Sequence, residues 1–419
     1  MGTALLAMMR PNFHPADPFK VWTHDWFCTP FEERMAKGLF TQGMCVLFRK
    51  PVDIAELQER LNDFHCVGQH ESMDDDDAPQ TLVYDYAPES NGHLLVTPAN
   101  APWPDDMGDP DESPERFVAW SLGQYAPLAF PGCLERAGEQ SWGWEDGGEN
   151  VKEHTAHIRL LISYVLGVED PNDHDDDVPL LPEDYDPLKE LHFLSKAVAS
   201  LLDMPDAICY FNPGGEVLRD DDGLRRGMNY AWSHELPPLD MWTNVRLFRA
   251  TEEWSLMDTV GNGQFDLPDL EAVYTTEDFE PSDIEGFLRS ASLYMLQGGE
   301  KVEDGDTAEG PGEINWMAME CIDALSDPPR PTIRWVPETD NSPPAELMDR
   351  GSLPANESDD FDEDLVTDEP IEGSPFVDPD FDDNALLDGD FDGDFDGDID
   401  GSRDDEDLDS DGLDDDYKV

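Results

Sequence analysis

Runs of apolar residues alternate with helix-spaced patterns along the first 340 residues, and the alternation predicts mixed α and β structure. GMCVLF (43–48) reads as a short strand. DIAELQERLNDF (53–64) follows, with Ile54, Leu57, Leu61 and Phe64 at helical spacing. Asp53 is a good N-cap there, and Glu56 three residues on fits a capping box. TLVYDY (81–86) and HLLVTPA (93–99) read as strands of a hairpin, RFVAWSLGQY (116–125) as a helix and HIRLLISYVLG (157–167) as an apolar strand. That order, β-α-β-β-α-β, is the split βαβ pattern of a ferredoxin-like sandwich. LKELHFLSKAVASLLD (188–203) predicts the strongest helix, since Leu188, Leu191, Leu194, Val198, Leu201 and Leu202 trace one face. AICYFNPGGEVL (207–218) reads as a strand entering a Gly-Gly turn, and 224–236 as a helix. Strands are expected at 242–251, 254–260, 270–275, 313–320 and 332–338, with a capped helix at 282–296. The expected fold is α+β: a two-part body of mixed or antiparallel sheets with packed helices, its first part ferredoxin-like, then a disordered acidic tail. The expected divisions are a lead-in at 1–38, a first part at 39–168, a second at 188–338 and the tail at 339–419.

Charge changes this picture most. The 419 residues carry a formal charge of −73. Residues 351–419 hold 29 Asp or Glu against Arg403 and Lys418, which is −27, so subtracting −27 from −73 leaves −46 on residues 1–350. Such a chain repels phosphate and anionic lipid and favours cations or basic partners, so nucleic-acid and membrane binding are not expected. Acidity of this kind also suits a saline cytoplasm. With 38 % hydrophobic residues the body has enough apolar material for a core. Cys28, Cys45, Cys66, Cys133, Cys209 and Cys321 are widely spaced without a CxxC pair, which suits reduced thiols. MGTALLAMMRPNFHP lacks a basic n-region, and no run is long enough to span a bilayer, so a cytoplasmic, bacterial protein is expected.

The run WTNVRLFRATEEWSLMDTVGNGQFDLPDLEAVY (242–274) resembles the bacterial domain of unknown function 4261, DUF4261, through Asp258, Thr259, Gly261, Phe265, Asp269 and Glu271. EHTAHIRLLIS (153–163) is similar to that family's His-x-Ala-His strand start, and VTPANAPWP to its Pro-rich loop. The resemblance spans roughly residues 40–300 and implies a two-part α+β fold; it implies no activity.

Candidate chemistry in the body is thin. His154 and His157 form an HxxH pair suited to a metal-dependent hydrolase only if a third ligand, such as His93 or His192, comes from elsewhere. In an extended strand the pair faces opposite ways. Cys28 with His24 is a possible thiolate pair in a segment that otherwise reads as packing. Ser233, His234 and Glu235 are neighbours in sequence, which gives no triad geometry. Arg219, Arg225, Arg226, Arg246 and Arg249 could pair with local carboxylates, bind a carboxylate-bearing ligand, or dock the tail. No catalytic residues and no cofactor are assigned.

The tail repeats Asp-Phe-Asp-Gly at 390–393 and 394–397. Asp396, Asp398, Asp400, Asp404 and Asp407, with Gly401, match the ligand spacing of a weak Ca²⁺ loop. Arg403 stands where an apolar residue belongs, and the overlapping starts at Asp388 and Asp407 place Ile399 and Lys418 at the twelfth position. Phe361, Phe376, Phe381, Phe391 and Phe395 interrupt the acid, a composition that docks on basic, hydrophobic partners. The reading from sequence is therefore an interaction protein, recruiting a basic protein partner through its acidic tail. A metal-dependent hydrolase and a salt-adapted solubility protein are the alternatives.

Overall fold

The computed structural model describes residues 37–70, 80–167, 181–298 and 301–351. The expected lead-in before residue 37, the tail from 352 on with its Asp396–Asp407 loop, and the Cys28–His24 pair lie outside the described residues, whereas 339–351, expected as the start of the tail, are described and bury Leu347. Within them the chain is α+β, with thirteen strands in two sheets and eight helices.

The strands are β1 (Gln42–Phe48), β2 (Cys66–His70), β3 (Thr81–Ala87), β4 (Gly92–Ala99), β5 (Ala156–Ser163), β6 (Ala207–Asn212), β7 (Val217–Arg219), β8 (Asn244–Arg249), β9 (Trp254–Val260), β10 (Asp269–Thr275), β11 (Thr307–Gly310), β12 (Ile314–Cys321) and β13 (Thr332–Pro337). The helices are α1 (Ile54–Arg60), α2 (Pro114–Ser121), α3 (Cys133–Glu139), α4 (Gly147–Asn150), α5 (Pro187–Leu202), α6 (Asp221–Ser233), α7 (Leu239–Trp242) and α8 (Pro281–Leu296).

The first sheet has the order β2-β3-β4-β5-β1-β6-β7, and every neighbouring pair is antiparallel. Four antiparallel steps separate β1 from β2, so these two run parallel, joined through α1 with β5, β4 and β3 between them. The ferredoxin-like expectation is corrected: that order would set β4 beside β1 with β3 parallel to β1, whereas β5 lies between β1 and β4 and β3 runs antiparallel to β1. The expectation placed a single strand inside the split, because CVGQH has too little apolar character to read as a strand. β2 is an exposed edge that needs little.

Both faces of this sheet are covered, so its strands read as continuous apolar runs. Met44, Val46, Phe48, Ile158, Leu160 and Ile162 face α5, whose Leu191, Leu194, Val198 and Leu201 are fully buried. Each such side chain contributes about 2 kcal/mol. Cys45, Leu47, Cys209 and Phe211 face the other way, under Trp103, Trp120 and α3. Asp186 caps α5 by accepting from the Leu188 and Lys189 amides, and Pro187 opens its first turn. Since α5, β6 and β7 complete the first sheet, the sheets change over between Arg219 and Asn244. The division expected at residues 168–188 is therefore displaced: AICYF packs against β1, not with the strands that follow it.

The second sheet has the order β11-β12-β13-β10-β9-β8, with β10 and β13 parallel and the other pairs antiparallel. Helix α8 lays Ile284, Phe287, Leu288, Ala291 and Met295 on it, a spacing of three and four. The sheets meet where the turn after β6 reaches β8, with the Asn244 amide donating to the Gly215 carbonyl at 3.1 Å. A Cβ at Gly215 would lie 1.9 Å from the Trp242 carbonyl oxygen, so the Gly-Gly turn exists to permit that approach.

Candidate functional site

Strand register places four charged residues in one row across the second sheet. Arg246 on β8 lies opposite Asp258 on β9, Asp258 opposite Glu271 on β10, and Glu271 opposite Arg334 on β13. All four are buried, at 1 % exposure or less. Arg246 grips Asp258 with two parallel bonds, Nε to Oδ1 at 3.0 Å and Nη2 to Oδ2 at 2.6 Å. Its Nη1 reaches Glu216 at 2.9 Å, and Arg136 on α3 holds the other oxygen of Glu216 with Nε at 2.7 Å. Arg330 donates to Asp258 at 2.7 Å and to Asp269 at 3.1 Å, while Arg334 donates to Glu271 at 2.8 Å. Thr259 and the Asn262 amide complete Asp269, at 2.9 and 3.0 Å.

Four arginines thus meet four carboxylates. Burial alone would push the Asp258 carboxyl up, but the Arg246 and Arg330 guanidiniums overcome it and hold it below the usual carboxylate range. Burial wins at Glu216, Asp269 and Glu271, which are raised despite their arginines. The network is charge-balanced and an arginine holds each of its carboxylates, which leaves none spare for a metal, while Arg334 Nη2 is buried without a partner. It fixes the strands and, through Glu216 and Arg136, ties the second sheet to the first.

Just past Asp258 and Thr259 the chain turns at Gly261, held at φ +116°, and Phe265 inserts into the core of the first sheet. Residues 258–336 match the family model of DUF4261, a domain of unknown function. All six residues that carried the resemblance lie inside this match, and four of them, Asp258, Thr259, Asp269 and Glu271, belong to the buried network. The DUF4261 match starts far later than residue 40 and runs beyond 300, so the expected extent is corrected. Searches of the curated proteins and of the solved structures found no match.

Gln264, in the DUF4261 segment, is the hub of the junction. Its carbonyl accepts from Lys37 Nζ at 2.9 Å and from Gln42 Nε2 at 2.7 Å, and its side chain bonds Asn212 at 2.9 Å and the Trp242 carbonyl at 2.8 Å. Lys37 is buried and pairs with Asp266 at 3.1 Å and with the Tyr185 hydroxyl. Burial pulls its pKa down, against the pull of Asp266. On α5, Glu190 is wholly buried and accepts from the Tyr164 hydroxyl at 2.7 Å. Burial pushes its carboxyl up to about 7, with Tyr164 and Lys37 opposing. Sequence reading missed Lys37, Glu190, Glu216, Arg136 and Arg330. Only Glu190 left a trace, since it precedes Leu194 by four and Ala197 by seven on the apolar face of α5.

The two segments that resembled the family outside the DUF4261 match come together in space. Trp103, from the Pro-rich loop, packs against both histidines of EHTAH. His154 Nδ1 donates to the Val151 carbonyl and its Nε2 accepts the Trp103 amide at 2.8 Å, so both nitrogens are engaged. His157 Nδ1 donates to the Ala101 carbonyl at 2.9 Å, and burial depresses its pKa to about 3. His93 is six positions along the β4–β5 ladder from His157, roughly 20 Å at strand spacing. His192 lies across the sheet, beside Trp242. The hydrolase built on His154 and His157 draws no support from this geometry. Among the described residues no group of three or more His, Cys, Asp or Glu could hold a metal ion.

The arginine group separates. Arg246 enters the network, Arg225 pairs with Asp221 and Asp203, Arg219 donates to the Leu218 and Asp240 carbonyls, and Arg249 to those of Thr251 and Glu252. Ser233 reaches His234 at 3.1 Å, but His234 Nδ1 also faces the Tyr230 carbonyl. Cys45, Cys133 and Cys209 are buried and their thiols raised, chiefly by burial, whereas Cys66 is exposed. No helix among the described residues is long and apolar enough to cross a membrane.

Proposed function

We propose that this chain is a non-catalytic binding protein that engages a basic protein partner through its carboxylate-rich surface and acidic tail. The observation that carries this reading is how the positive charge is used. Removing Arg10, Lys20, Arg34, Arg403 and Lys418 from the 25 Lys and Arg leaves 20 in the described residues. Thirteen of these form ion pairs with carboxylates. The cations are largely matched within the body, and the unmatched charge is acidic. A surface of that kind steers cationic ligands and speeds their encounter. The buried polar groups of the DUF4261 segment support the same reading, since they are spent on holding the two sheets together.

The test is titration of the full chain with a fluorescent arginine-rich peptide and with a neutral peptide of equal length. Saturable binding of the basic peptide is expected, weakening steeply as salt rises and weaker for the chain ending at Arg350. Equal affinity for the two peptides would overturn the reading.

A further inference from the structure

On the outer face of the first sheet, β5 sends His157, Arg159 and Leu161 to the same side, as period-two alternation requires. Arg159 sits opposite Cys45 on β1 and Thr97 on β4. The arginines of the buried network each meet a carboxylate; Arg159 meets none. Its Nη1 donates to the Gln124 carbonyl at 2.9 Å, and the guanidinium lies over the Tyr125 ring, 5.1 Å from the centroid. Its Nε is buried without a partner. Two neighbours share that condition: the Trp103 indole Nε1 and His157 Nε2 are also buried and unpartnered, in residues only 4 % and 3 % exposed. Trp103 joins these groups through Tyr125, over which Arg159 lies, its ring centroid being 5.4 Å from Tyr125 and 5.4 Å from His157.

The donor inventory decides what such a cluster takes. Arg159 Nε and Trp103 Nε1 are obligate N–H donors, and an arginine has no acceptor. With Nη1 committed to Gln124, the free edge of the guanidinium is the Nε and Nη2 side, a planar fork whose spacing matches the two oxygens of a carboxylate. A metal is excluded by the positive charge and the N–H groups. A neutral ligand would leave the arginine without a counter-charge.

We propose that Arg159 forms a binding site for a small carboxylate, held bidentately by its Nε and Nη2 edge. The anion supplies the counter-charge that the fold does not.

The experiment is calorimetric titration of the full chain with acetate and, separately, with inorganic phosphate, at constant ionic strength. Saturable acetate binding is expected, with affinity lowered roughly tenfold or more in Arg159→Gln. Arg159→Lys keeps the charge and removes the fork, so it should also lose affinity, which keeps the test informative if the glutamine variant folds poorly. Arg225→Gln, a surface pair elsewhere, should bind as the parent does. Saturation by phosphate alone, by neither anion, or by acetate with equal affinity in Arg159→Lys overturns the site.

Discussion

Glu190 shows most sharply how one buried side chain shapes the behaviour of the molecule. Its carboxyl, near 4.5 in an exposed chain, is pushed up to about 7 by burial. Between those values the folded chain keeps a proton that the unfolded chain gives up. The associated stability is complete below pH 4.5, falls as pH rises, and levels off above 7. At about 1.4 kcal/mol per pH unit the loss is ~3 kcal/mol. His157, buried neutral with its pKa depressed to about 3, acts in the opposite sense: its contribution is lost as pH falls below 6.5. Comparing the parent with Glu190→Gln isolates the first effect, because His157 is common to both. Urea unfolding from pH 5 to pH 8 should show a parent stability that declines relative to the variant, with the variant the more stable at pH 8. Parallel profiles would rule this out. The trace of Glu190 in the sequence was its place on an apolar helical face. Its proton was not legible, because it is set by complete burial in the fold, against the opposing pull of Tyr164 and Lys37, which lie 26 and 153 positions away.

At the scale of elements, the row Arg246–Asp258–Glu271–Arg334 holds four strands in register and is also where sequence reading was most and least informative. Strand periodicity placed β8, β9, β10 and β13, and the family resemblance singled out Asp258, Asp269 and Glu271. Their partners Arg330, Glu216 and Arg136 come from a loop, a turn and a helix, positions that no periodicity marks. The edge strands β2 and β11 escaped detection for a related reason, since a strand with one neighbour and an exposed face needs no apolar pattern. The energetic weight of the row is testable. Asp258→Asn leaves Arg246 and Arg330 facing a neutral group in the interior, and a loss of about 3–5 kcal/mol is expected by denaturant unfolding. Asp240→Asn removes the Arg289 partner at a site more than half exposed, and should cost less than about 1 kcal/mol. Equal losses in the two variants would mean that the row is not a structural keystone.

At the scale of the whole molecule, the excess of acid opposes the fold that the buried pairs secure. The −46 on residues 1–350 repels itself in the compact state more than in the unfolded one, and ion pairs relieve only part of it. Added salt shortens the reach of that repulsion, to about 10 Å at 0.1 M. Thermal stability should therefore rise with ionic strength, by a few degrees at about 2–4 °C per kcal/mol recovered. Screening is indifferent to the identity of a monovalent ion, so NaCl and KCl should act alike at equal concentration, and the gain should flatten once the screening length falls below the spacing of surface charges. A rise that continues undiminished into molar salt would instead favour adaptation to a saline cytoplasm, where hydrated cations join the folded surface. A melting temperature independent of salt would contradict both, and would mean that the carboxylates are spaced widely enough for water alone to separate them.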